Sequence, residues 1–218
     1  MKFHILSAFL LLLSFAVVAQ QPGRLPVTKT IKDSLKNEIL KMGVEDQRYR
    51  WQLMYGELDP QKLAELRNQP ADSQNRRMSN VMKGRVGISQ AQKDSLWVYQ
   101  GAIDSANFIR LSGIIKKYGF PKKYIDEWKV TTILLHNSPL MSDDFFIVLK
   151  DEVLAGNLSA MEYAKMHDRV RSDRHLPQLY CISEQWDTAT KSAKIATPIN
   201  PEATNKARKE IGLKKWKG

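Results

Sequence analysis

A single cysteine, Cys181, stands among 218 residues. No intrachain disulfide can close, so the fold has to be held by its core. Cys181 itself reads as a small buried hydrophobe rather than a reactive thiol. Beyond Val18 no run is long and apolar enough for a bilayer, which excludes a membrane-spanning helix in the body of the chain. Missing too are a Gly-rich phosphate loop, a Gly-x-Ser-x-Gly elbow and a His-Glu-x-x-His zinc helix. Histidine is scarce. Of four in the chain, His136, His167 and His175 lie past the N-terminal apolar run, and none pairs with another at metal-ligand spacing. A site joining His136 to Asp46, Asp104 or Asp168 is geometrically open to a helical bundle, but isolated residues hydrogen-bonded locally are the simpler reading. No metal and no cofactor is expected.

What is present begins with an address. Met1-Lys2 give a basic start, Ile5 to Val18 an almost unbroken apolar run, and Val17-Val18-Ala19 a small-residue cleavage site ahead of Gln20. This is the pattern of a secretory signal peptide over 1–19, cut after Ala19 and followed by a linker over 20–29. The product expected is exported, periplasmic or extracellular, with no stable membrane insertion, and no Cys stands at the cut to carry a lipid. Cleavage leaves about 199 residues, enough for one core-bearing domain over 30–218. Lys and Arg number 34 against 23 Asp and Glu, a net +11. Such an excess favours a small anionic ligand or an envelope component as partner. Much of it lies in Lys116-Lys117, Lys122-Lys123 and the tail Lys206, Arg208, Lys209, Lys214, Lys215 and Lys217, which reads first as a solvated face. Aromatic residues do not interleave with these cations, so no nucleic-acid platform is expected.

The periodicity is helical nearly throughout and predicts an all-α, single-domain irregular bundle of six to seven helices. Ile31, Leu35, Ile39, Met42, Tyr49 and Leu53 mark one face of a long first helix. The position completing that stripe is Asp46, a carboxylate that is costly on a core face unless paired. Arg50, one turn on, is the local partner, with Gln47 and Tyr49 as further candidates. Asp59-Pro60 opens a short helix over 60–68, and 69–88 reads as a loop or lid. A long helix from Ser89 to Tyr118 carries Leu96, Ile103, Leu111, Ile114 and Tyr118 on its buried stripe. Asn107 falls on the same stripe and Asp104 lies one turn before it. Gly119 caps this helix and Pro121 blocks its continuation.

Residues 128–136 are apolar on nearly every side, as in a central helix enclosed by others. His136 sits in its last turn, where it complements the helix dipole. Two helices follow as a hairpin: one opens at Ser142-Asp143-Asp144, the next at the capping box Ser159-Ala160-Met161-Glu162. The second contains His167-Asp168-Arg169. One short extended segment is expected near 177–182, an exposed loop over 187–198, and a last helix from Pro201 to about Ile211.

Seven signatures occur in order: Asp46-Gln47-x-x-Arg50, Asp104-x-x-Asn107, Tyr118-Gly119-Phe120-Pro121, a helix ending in His136, Asp168-Arg169, Pro177-Gln178-x-Tyr180, and Pro201 followed by Arg208 and Gly212-Leu213. Together they resemble the bacterial domain-of-unknown-function family 6624, over roughly residues 40–215. The resemblance implies a helical domain and a set of residues, and no mechanism. Its matching positions are Asp46, Gln47, Arg50, Asp104, Asn107, His136, Asp168, Arg169, Gln178, Tyr180 and Arg208. One departure stands at Tyr180-Cys181-Ile182-Ser183, where the family continues Tyr-Gly-Thr-Gln.

Three readings follow. The leading one is an envelope-associated binding or interaction module with a polar pocket, in which Gln47, Arg50, Asn107, Asp168, Arg169, Gln178, Tyr180 and Arg208 bind ligand. The second is a hydrolase-like enzyme with His136 as general acid/base, oriented by Asp46 or Asp104, and Arg50 or Arg169 holding an anionic group. The third is a structural polar network that fixes helix register without a ligand.

Overall fold

The computed structural model describes residues 24–58, 85–187 and 191–217. The expected signal peptide, the helix at 60–68 and most of the loop at 69–88 lie outside the described residues. The predicted stripe organises the first helix. α1 (Lys29–Asp46) is capped by Thr28, whose hydroxyl accepts from the Ile31 amide at 3.3 Å, and it buries Leu35, Ile39, Met42 and Asp46. It does not run on as one helix. Residues 47–49 form a turn, and α2 (Arg50–Tyr55) restarts beyond it. The cause is a tertiary contact: the Tyr49 amide, which would donate back to Glu45, instead donates to the Gln100 side chain at 3.1 Å.

α3 (Gln90–Tyr118) starts at a complete capping box, with the Ser89 hydroxyl accepting from the Gln92 amide at 3.2 Å and the Gln92 side chain accepting from the Ser89 amide at 2.8 Å. Its two halves differ. Phe108, Leu111, Ile114 and Ile115 are buried, whereas Trp97, Val98 and Tyr99 are exposed. Between them the same face buries Gln100, Asp104 and Asn107. Gly119 ends the helix at φ 86°, and a Cβ there would come within 3.0 Å of Arg24 Nη1. Its conformation is one that glycine adopts without strain, and a side chain there would also have to push the Arg24 guanidinium aside.

α4 (Glu127–Leu135) packs against α1, α3 and the later helix α6 (Ala160–Asp173). Val130, Thr131, Ile133 and Leu134 are buried, while Trp128 is exposed. The helix is central but not wholly enclosed. A 3-10 turn (Ser138–Leu140) leads to α5 (Asp143–Leu154), which forms the expected hairpin with α6. At the start of α6 the Ser159 hydroxyl accepts from the Glu162 amide at 3.2 Å. The reciprocal half of that cap comes from elsewhere: the Ser159 amide donates to Glu127 on α4. α7 (Pro201–Glu210) is capped by Asn200 and followed by Gly212 at φ 78°.

The described residues are mostly helical, with seven α-helices, as the periodicity predicts. Two short antiparallel ribbons were not foreseen: β1 (Glu57–Leu58) with β2 (Arg85–Val86), and β3 (Glu184–Asp187) with β4 (Ser192–Ile195). The second ribbon occupies part of the expected loop at 187–198. The segment at 177–182 is non-helical as expected but bends instead of pairing, and the strand begins just after it. Residues 24–28, within the expected linker, lie on the body. The Leu25 amide donates to the Lys117 carbonyl at 3.0 Å and Arg24 forms an ion pair with the fully buried Glu152. No helix of the described residues is long and apolar enough to cross a membrane.

Candidate functional site

Where α1 gives way to α2, the Gln47 and Arg48 amides keep backbone acceptors while the Tyr49 amide turns to Gln100, and side chains from this stretch converge with α3 and the end of α4. Asp46 is 1% exposed. Its carboxylate accepts from His136 Nδ1, which lies 2.8 Å from each oxygen, and from Gln47 Nε2 at 2.7 Å. Arg50 donates to Asp104 Oδ2 at 2.5 Å through Nη2. Its Nε lies 3.6 Å from Asp46 Oδ2, an ion contact without hydrogen-bond geometry, so this buried N–H has no acceptor. Gln100 ties the group together. Its amide donates to Asp104 Oδ1 at 2.7 Å and to the Asp46 carbonyl at 2.9 Å, while its oxygen takes the Tyr49 amide.

The proton of the Asp46–His136 contact can be placed by elimination. A carboxylate oxygen accepts, so a hydrogen sits on His136 Nδ1, and in the neutral tautomer that this contact selects Nε2 carries the lone pair. The His136 side chain remains 27% exposed, so one edge is buried against Asp46 and another part of the ring reaches solvent. A histidine oriented by a buried carboxylate with Nε2 unprotonated is the arrangement a general base requires. With a neutral imidazole, Asp46, Asp104 and Arg50 together carry one net negative charge. Arg50 faces two carboxylates and is not set to hold an anion.

Asn107 lies one turn beyond Asp104, and its amide donates to the Met42 carbonyl at 3.2 Å. That bond pins α3 to α1 and holds both helices in the register that brings Asp46 opposite Asp104. Asn137, directly after His136, donates to Ser105 at 2.9 Å and fixes the end of α4 against α3.

The remaining residues singled out by sequence form a separate group. Asp168 is fully buried and accepts three amides: Leu179 and Tyr180 on Oδ1 at 2.8 and 2.9 Å, and Ile182 on Oδ2 at 3.1 Å. Burial pushes this carboxyl above the usual carboxylate range, and the three amides pull it back. Gln178 closes the same loop with reciprocal bonds to Ser183 at 3.1 and 3.2 Å. Arg208 donates to the Tyr180 carbonyl at 2.6 Å and to the Lys214 carbonyl at 2.7 Å. These groups fold the 177–183 segment onto α6 and α7. Arg169 is exposed, pairs with Asp173 at 3.1 Å, and lines an open cleft of about 700 Å³ with Lys165 and Gln178.

Two details of that loop answer questions the sequence raised. Cys181 adopts φ 49°, the left-handed region that favours glycine. Its thiol is buried and pushed above its ordinary pKa by that burial, which fits an inert hydrophobe. Behind the loop, His167 packs edge-on against Phe146 and Tyr180 at centroid distances of 4.8 and 5.2 Å. Desolvation, aided by Arg171, lowers its pKa to about 4. Among the described residues no group of three His, Cys, Asp or Glu could hold a metal.

Secreted effector protein SptP of Salmonella typhi and the SptP of Salmonella paratyphi A are each 30% identical to this chain over 115 residues. The match takes in 53% of this chain and 19% of the length of those proteins. No protein-family model matches the chain, and no solved structure matches it.

Proposed function

We propose that the protein is an exported acid/base enzyme, hydrolase-like in chemistry, whose site centres on the Asp46–His136 dyad. The observation that carries this reading is the dyad itself: a carboxylate 1% exposed, within 2.8 Å of the Nδ1 of a histidine that keeps solvent access. No serine, threonine or cysteine among the described partners of His136 stands ready as a nucleophile. Water activated by Nε2 fits the geometry, with Asp46 stabilising the imidazolium that forms. Arg50 then has a supporting role, balancing two carboxylates that would otherwise repel across α1 and α3. The net negative charge of the cluster favours a neutral or cationic group at the reacting centre. Export rests on the N-terminal apolar run, and the partial likeness to a secreted effector is compatible with it.

The test has two parts. Nitrogen-15 spectra of His136 in the folded protein should show the Nδ1–H tautomer above neutral pH; an Nε2–H tautomer would end the proposal. A panel of chromogenic esters, amides, phosphoesters and glycosides should then yield turnover that His136→Gln lowers by about 10²–10⁴-fold while keeping stability within about 1 kcal/mol. Turnover that survives His136→Gln would refute the assignment of the base.

A further inference from the structure

The basic tail, read from sequence as a solvated face, is folded into a definite shape. After α7 the chain reverses at Gly212, and the Leu213 amide donates back to the Arg208 carbonyl at 2.8 Å. Arg208 Nε then donates to the Lys214 carbonyl at 2.7 Å, and the Trp216 amide donates to Asn205 Oδ1 at 2.8 Å. Tail and helix are thus laced together along two turns of α7. Between them lies a groove of about 680 Å³, lined by Lys206, Lys209 and Lys215 with Asn205, Glu202 and Leu213. That volume is in the range of small-ligand sites.

Three lysines and Asn205 supply donors to the lining, beside Asn200, the carboxylate of Glu202 and the apolar Ala203 and Leu213. Lys206 and Lys209 are three apart on α7 and share a face, and Lys215 approaches from the returning tail. No ion pair engages any of the three among the described residues. Because Asn205 Oδ1 is taken by the Trp216 amide, its Nδ2 is left to donate. Glu202 is the single carboxylate of the lining. Glu210, the other carboxylate whose field reaches Lys206, is held by Lys150 at 2.6 Å. No arginine lines the groove, and Arg208 of the same helix turns its Nε and Nη1 to two backbone carbonyls, so the planar fork that suits carboxylates is absent from the lining. What remains is a set of compact ammonium point charges, the form in which lysine binds phosphate.

We propose that this groove is an anion site for a ligand bearing a phosphoryl group. It is separate from the Asp46–His136 cluster and does not rest on that reading. Phosphoryl groups reach an exported protein either on a soluble diphosphate or on a lipid headgroup, and one experiment separates the two sources. The mature chain is titrated at low ionic strength with pyrophosphate, with citrate, and with phosphatidylglycerol vesicles against phosphatidylcholine vesicles, following lysine and backbone amide resonances. Three proteins are compared: wild type, Lys206→Gln/Lys209→Gln/Lys215→Gln, and the control Lys122→Gln/Lys123→Gln, all altered only at exposed side chains. The site predicts that pyrophosphate shifts the resonances of 205–209 and 213–216, and that the triple variant weakens binding roughly tenfold or more while the control does not. Binding to phosphatidylglycerol but not pyrophosphate, lost in the same triple variant, supports the site and assigns the phosphate to a lipid surface. Equal effects of triple variant and control overturn it, since binding would then be a matter of net charge. Citrate binding as tightly as pyrophosphate overturns the phosphoryl assignment.

Discussion

Replacing Asp46 with alanine removes more than one interaction. The 2.8 Å contact to His136 Nδ1, the 2.7 Å bond from Gln47 and the 3.6 Å ion contact to Arg50 all end on its carboxylate. Breaking a buried ion pair by deleting one partner costs about 3–5 kcal/mol. Two features reduce that figure here. Arg50 keeps Asp104 at 2.5 Å, and His136 and Gln47 can both turn to water. A destabilisation of about 2–4 kcal/mol results, which for a domain of this size lowers the melting midpoint by roughly 4–16 °C. Urea unfolding followed by far-ultraviolet circular dichroism reads it directly, with an unchanged slope showing that the denatured state is unaffected. Asp46→Asn keeps one acceptor oxygen and the shape of the group, and should cost about 1–2 kcal/mol. The order alanine, then asparagine, then wild type is the signature of a buried acceptor. If Asp46→Ala melts at the wild-type midpoint, the carboxylate faces water and both the stripe and the dyad are wrong.

Three other outcomes test the remaining polar centres. His167 has a folded pKa of about 4 against 6.5 for the free group, so the unfolded chain takes up a proton first; stability should be full above pH 6.5, fall by about 3 kcal/mol between 6.5 and 4, and level off below. His167→Phe should flatten that part of the pH–stability curve, and an unaltered curve would count against burial of a neutral imidazole. Asp168→Ala orphans one buried and two half-buried amides and should cost about 2–4 kcal/mol in urea. Asp168→Asn, which orphans one, should cost about 1–3 kcal/mol. Arg24→Ala leaves the fully buried Glu152 without its cation, with Asn157 still donating to it at 2.9 Å; a loss of about 3–5 kcal/mol is expected, and none would show that residues 24–28 do not lie on the body.

Much of this was legible one residue at a time. Asp46 could be read as buried because Leu35, Ile39 and Met42 fix the phase of α1, and a fixed phase leaves no freedom for the next position. The same reasoning placed Asn107 on α3. Gln100 escaped notice, although it makes more of the cluster's bonds than any residue except Asp46. The available signal was its place one turn before Asp104, four residues along one face. Gln100 also lies on the stripe itself, four residues after Leu96 and three before Ile103, as Asn107 does further along. The break at 47–49 was invisible for a different reason: residue 49 leaves the helix because its amide is claimed from 51 residues away, and periodicity sees only neighbours. The ribbon at 184–187 and 192–195 shows the opposite limit, for its pairing is local but Glu184-Gln185-Trp186-Asp187 lacks alternation and that of Ser192-Ala193-Lys194-Ile195 is only four residues long. Asp168 and Arg208 stand out in sequence as candidate ligand-binding residues. Their sequence pattern could not distinguish ligand contact from what the structure shows, the fastening of a loop by its own backbone.

That distinction bears on Asp46, Arg50 and Asp104 as well, because a network can staple helices without any chemistry. Buried charges are a poor choice for stapling alone: replacing a buried ion triad with apolar groups of similar volume is commonly neutral or stabilising by about 1–4 kcal/mol. The combined change Asp46→Leu/Arg50→Met/Asp104→Leu applies that rule to this protein. Gln100 would keep its bonds to the Asp46 carbonyl and the Tyr49 amide, so the contact between α3 and the 47–49 turn survives. His136 loses its orienting carboxylate and nothing else. If the charges serve catalysis, the triple variant should melt at or above the wild-type midpoint and retain the circular dichroism of a helical protein, while turnover falls to the level of His136→Gln. If they serve register, the variant should lose cooperativity or misassemble, since α1 and α3 would then have only interchangeable apolar surfaces to align them. A stable, cooperative variant with full turnover would remove the dyad from the chemistry altogether.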